Sequence, residues 1–87
     1  MSRVRRFILH VTVSREFMQQ DQSMAVALAL EALRDQAAEP IRGPRGGRYE
    51  SVGQPFDFRG GQTSEDFMLN RWTWTAKVQA RYVRPRR

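Results

Sequence analysis

Eighty-seven residues suffice for one small domain, and a chain this short buries only about 60% of its extended surface on folding. With no cysteine, disulfides and thiolate metal sites are excluded, and a reducing compartment, the cytoplasm, is the expected setting. Fifteen basic residues against nine acidic ones give a net charge of +6, while the longest apolar run, Met24 to Leu30, is too short to cross a bilayer, so the expected partners are polyanions or acidic proteins and not a membrane.

All the basic residues except Lys77 are arginine. Guanidinium groups match phosphate and carboxylate bidentately, although the base composition of the coding DNA can produce the same bias. The opening stretch MSRVRRFILHVTV imitates a secretion signal, but His10 and Thr12 interrupt its apolar patch and no small-residue cleavage site follows.

Residues 3 to 13 alternate. Phe7, Leu9, Val11 and Val13 share one parity, and Arg6, Ile8, His10 and Thr12 the other, which predicts a strand with one apolar face. Residues 14 to 22 break the pattern and read as an irregular turn holding Phe17, with Asp21 or Ser23 as the cap of the next element.

The stretch from 23 to 39 predicts a helix. Val26, Leu30, Leu33 and Ala37 fall on one stripe with Ala29 beside it, and Glu31, Asp35 and Glu39 form an acidic ridge opposite. Met24 and Leu28 fall near the acidic side, where a single buried stripe leaves them unexplained. They offer a contact to a partner or to a second copy of the chain. Pro40 marks the stop.

From Pro40 to Gly61 the chain holds all six glycines and three of its four prolines. Short strands are expected near 48 to 52 and 56 to 59, with Gly60-Gly61 as a turn. The segment IRGPRGGR spaces Arg42, Arg45 and Arg48 three apart in what reads as a flexible loop over about 40–48. Its composition suits a phosphate grip, yet it lacks the Gly-Lys-Ser/Thr ending of a P-loop. Thr63 to Asp66, TSED, has the spacing of a capping box.

The final strand, from about Asn70 to Arg84, has the longest clean alternation. Trp72, Trp74, Ala76, Val78, Ala80 and Tyr82 share one parity, and Arg71, Thr73, Thr75, Lys77, Gln79 and Arg81 the other. A face with three charges resists burial, so the tryptophans are expected to face the core. Pro85 ends pairing and leaves Arg84, Arg86 and Arg87 as a basic tail.

The expected fold is α+β: one helix packed on one face of a three- to four-stranded antiparallel sheet, in the order β-α-β-β or β-α-β-β-β, with the opposite face exposed and basic. His10 is the only histidine and its nearest carboxylate in sequence is Glu16, beyond the strand, so no catalytic set is expected. Asp57, Glu65 and Asp66 lack the spacing of a metal site, and no cofactor is expected.

These features suit a non-enzymatic protein that contacts RNA or DNA mainly through phosphates. Arg6, Arg71, Lys77 and Arg81 would supply fixed charges beside His10, and Arg42, Arg45, Arg48, Arg84, Arg86 and Arg87 mobile ones. The alternative is an inhibitor or adaptor of the kind phages and plasmids encode, bound to a host protein such as a nucleic-acid-handling or CRISPR-type defence complex. Its arginines would then meet an acidic protein surface, or Glu31 and Asp35 would mimic a nucleic-acid backbone. Met24 and Leu28 would anchor the partner or form a homodimer contact.

Overall fold

A computed structural model describes residues 4–86. The protein is α+β, with five antiparallel strands and three helices among the described residues. Strand β1 spans Val4–Ser14 and β5 spans Arg71–Val83, and the two pair along the whole of β1, from Val4 opposite Arg81 to Ser14 opposite Arg71. Alternation in both sequences makes this pairing self-consistent from Phe7 to Ser14, because each cross-strand pair there matches an apolar position with an apolar one or a polar with a polar, apart from Ile8 opposite Lys77. At the start of β1, Val4 faces Arg81 and Arg5 faces Ala80.

The other edge of β5 serves two partners in succession. Strand β3, Arg48–Ser51, pairs with residues 80–83, and β4, Phe56–Gly61, pairs with residues 73–77. A two-residue strand β2, Ile41–Arg42, adds to the outside of β3. Lying between β1 and the β3–β4 pair, β5 is the central strand, as its unbroken alternation leads one to expect.

Helix α1, Arg15–Gln20, and helix α2, Gln22–Ala38, follow β1 directly. Ser14 accepts a bond from the Phe17 amide and starts α1, and Asp21 accepts from the Met24 amide and starts α2. The alanines of α2 favour helix, and Glu39, in extended conformation before Pro40, ends it. Both helices pack on β1 and β5 and on each other. Helix α3, Ser64–Met68, sits between β4 and β5 behind a complete capping box of Thr63 and Asp66.

The core lies where α2 crosses the sheet. Ala25, Ala29, Leu33 and Ala37 of α2 are buried, as are Ala76, Val78 and Ala80 of β5. The radius of gyration of 15.4 Å exceeds the ~12 Å of a compact chain of this length. An elongated two-layer body has a thin interior, so among the larger side chains of the described residues only Leu33 and Val78 are fully enclosed. Phe7, Leu9, Val11 and Val13 of β1 stay half-buried because β1 is an edge strand, one of whose carbonyls, that of His10, accepts a bond from the Gln36 side chain of α2.

Several expectations are corrected. Three helices stand where one was expected, five strands where three or four were, and the order is β-α-α-β-β-β-α-β. The irregular turn around Phe17 is a capped helix. Gly60 and Gly61 continue β4 and do not form a turn. The buried seam of α2 is Ala25-Ala29-Leu33-Ala37, while Val26 and Leu30 are half-buried, because small side chains four apart let the helix axis approach the sheet closely. Trp72 and Trp74 lie on the covered face but are half-buried, lining a cleft beside α1 and the first residue of α2.

Candidate functional site

The register of β1 against β5 builds the reverse face of the sheet, opposite α2. Arg6 lies beside Gln79, Ile8 beside Lys77, His10 beside Thr75 and Thr12 beside Thr73. On the far side of β5, Phe56 lies beside Lys77, Arg59 beside Thr75 and Glu50 beside Arg81. Arg42 faces Arg48 across the β2–β3 pair. Arg6, Ile8, His10, Gln79 and Arg81 are exposed, while Arg71, Thr73, Thr75 and Lys77 are half-buried.

That half-burial comes from carboxylates unforeseen at this face. Asp66 of α3 is 3% exposed and accepts from Arg71 Nε at 2.8 Å, from the Thr73 hydroxyl at 2.9 Å and from the Thr63 amide at 3.1 Å. The Arg71 guanidinium first, then the Thr63 amide, hold its pKa down at about 2. Arg71 is therefore committed to an internal ion pair at the end of the face. Asp57 lies 2.6 Å from Lys77 Nζ and 3.0 Å from Arg59 Nε, and the Lys77 and Arg59 bonds hold its pKa below the ordinary value.

Asp57 arrives there through a bulge. Between Phe56 and Arg59 the β4–β5 register slips by one residue, and Asp57 takes a left-handed backbone at φ 57°. Phe56 is thereby left on the reverse face, where the Arg6 guanidinium stands 5.5 Å from its ring centre after reaching across β5. Phe56, Asp57 and Arg59 are absent from the residues expected from sequence. The short alternation around 56 to 59 signals a strand, but a bulge exchanges its faces without a local mark.

The remaining sequence-derived residues scatter around this face. Arg48 pairs with Glu50 at 3.2 Å, both about half exposed. Arg45 is exposed in a 3-10 turn over Pro44–Gly46 whose ends join through the Gly43 amide and the Gly47 carbonyl, and the Tyr82 hydroxyl donates to the Pro44 carbonyl at 2.7 Å. Arg84 and Arg86 are exposed beyond β5, and Arg87 lies outside the described residues. Met24, Leu28, Glu31 and Asp35 are exposed on the outer side of α2, away from this face.

The covered face offers different chemistry. A shallow cleft of about 450 Å3 runs beside α1, lined by Met18, Gln19, Phe67, Trp72 and Trp74 among others. Its one cation, Arg15, is occupied: it stacks 4.5 Å from the Phe67 ring centre and donates to the Phe67 carbonyl and the Asn70 side chain. Asp57, Glu65 and Asp66 do not meet, and among the described residues no group of three His, Cys, Asp or Glu is placed to hold a metal ion. No helix of the described residues is long and apolar enough to cross a membrane. Protein-family models, curated proteins and solved structures yield no match to this chain.

Proposed function

We propose that this chain is a small, basic, non-enzymatic binding protein that engages RNA or DNA mainly through phosphates, on the sheet face opposite α2. The observation that carries this reading is the β1–β5–β3 register, which gathers arginines distant in sequence onto one side. Seven cationic side chains, Arg6, Arg42, Arg48, Arg59, Arg71, Lys77 and Arg81, stand there against the carboxylates Glu50, Asp57, Glu65 and Asp66. Arg6, Arg42 and Arg81 make no ion pair among the described residues, and with the exposed Arg84 and Arg86 they are the groups free to meet phosphate. Lys77 and Arg71 contribute less than their charge suggests, being already paired.

Little base specificity is expected from such contacts. The test is fluorescence anisotropy of a labelled oligonucleotide from about 50 to 200 mM salt. Engagement of about four phosphates gives a log–log slope near −3 to −4, and Arg6→Gln with Arg81→Gln should flatten it by roughly two units. Negligible, salt-independent retention at low salt would reject the reading.

A second reading rests on the outer side of α2, where Met24 and Leu28 are 50% and 46% exposed beside Glu31 and Asp35. It makes the chain an inhibitor or adaptor of a host protein. Its distinguishing result is a partner retained after nuclease treatment and lost on Met24→Ser with Leu28→Ser.

A further inference from the structure

The reverse face is not uniformly polar. At its centre Ile8 and Phe56 flank Lys77 on neighbouring strands, roughly 10 Å apart by strand spacing. Ile8 is 67% exposed and Phe56 37%, although β1 carries polar residues at the positions beside Ile8. Between them the Lys77 ammonium is drawn toward β4 by Asp57, so the middle of the face presents an alkyl stem and not a free cation. The charges unpaired by carboxylates stand at the rim, with Arg6 laid against the Phe56 ring and Arg81 two rows further along β5.

We infer that Ile8 and Phe56 form a base-stacking strip inside a phosphate-binding rim, and that the ligand is single-stranded rather than duplex nucleic acid. The inference rests on the phosphate-binding reading above. A duplex presents its phosphates outward and keeps the flat faces of its bases inside the stack, so the strip would be pressed against a hydrated, charged backbone. A single strand can turn bases onto the aromatic ring and the guanidinium plane while its phosphates reach the rim arginines. The bulge that places Asp57 on Lys77 serves this arrangement, since a free ammonium beside the ring would favour a phosphate at the position where a base has to stack.

The two readings separate in one series. Anisotropy is measured with a pyrimidine oligomer of about twelve nucleotides, a duplex of the same length and an abasic oligomer with the same phosphates. The expected result is about tenfold tighter binding of the pyrimidine oligomer than of the abasic or duplex one. Phe56→Ala should remove that advantage, with a smaller loss of abasic binding because the Arg6 guanidinium rests on the ring, and Phe56→Tyr should retain both. Ile8→Ser, at an exposed position that does not threaten folding, should reduce it in part. Equal binding of all three, untouched by Phe56→Ala and Ile8→Ser, overturns the strip and leaves phosphate binding standing. Failure to bind any of the three at low salt overturns the phosphate-binding reading itself.

Discussion

Lys77 and Asp57 meet at 2.6 Å across the β4–β5 bulge, and Asp57 holds a left-handed backbone to make the contact. Aspartate tolerates that conformation better than most residues, but glycine adopts it freely. Asp57→Gly therefore keeps the bulge while freeing both Lys77 and Arg59. The expected outcome is several-fold tighter binding of the abasic oligomer at low salt, a salt slope steeper by about one to two units, a smaller advantage of the base-bearing strand over the abasic one, and a urea midpoint close to that of the parent protein. Weaker binding would mean that Asp57 organises the face and does more than neutralise it.

Asp66 links α3 to β5, and its pKa is held at about 2 against an ordinary 3.8, chiefly by Arg71. A depressed carboxyl pKa adds stability that is fully present above the unfolded value and is lost as pH falls through the folded one. Thermal melts should therefore show this contribution intact above about pH 4 and disappearing toward about pH 2. Asp66→Asn should melt lower at neutral pH and show a shallower decline over that acid window. An unchanged acid profile in the variant would deny the ion pair this role.

The α2–sheet contact is narrow because alanines line both sides of it. Leu33→Ala should remove about 2–5 kcal/mol, a large share of the stability of a chain this size. Ala29→Leu should cost about 1–3 kcal/mol by forcing the helix off the sheet. Urea titrations with unchanged m-values would register both losses as losses of stability.

Gly60 is the cross-strand partner of Trp74, and a Cβ at Gly60 would lie 2.6 Å from the indole ring. Gly60→Ala should displace the ring toward solvent, shift the tryptophan emission to the red and lower stability by about 1–3 kcal/mol. A Trp72→Phe background assigns the shift to Trp74. Unaltered emission would show that the strand yields instead of the ring.

Much of the scaffold was legible as local pattern. The alternation of residues 71 to 83 marks β5 as central, Asp21 and Pro40 bracket α2, and Thr63 with Asp66 announces α3. Each signal acts over four residues or fewer, through side-chain parity, a missing amide proton or a cap bond to an amide three positions on. Helix α1 was missed although Ser14 lies three residues before the amide it caps, because SREFMQQ lacks an apolar period long enough to declare a helix.

The sidedness of β5, with tryptophans toward the helices and Arg71, Lys77 and Arg81 on the reverse, follows from the amino-acid order alone, because strand geometry sends neighbouring side chains to opposite faces whatever the rest of the chain does. Which of those cations stays free was decided only by tertiary structure. Asp57 and Lys77 are twenty positions apart, and a one-residue slip in pairing determines whether the carboxylate lands on the lysine or on the other face. That slip belongs to the register between strands, a cooperative property of the whole sheet that no local stretch of sequence carries.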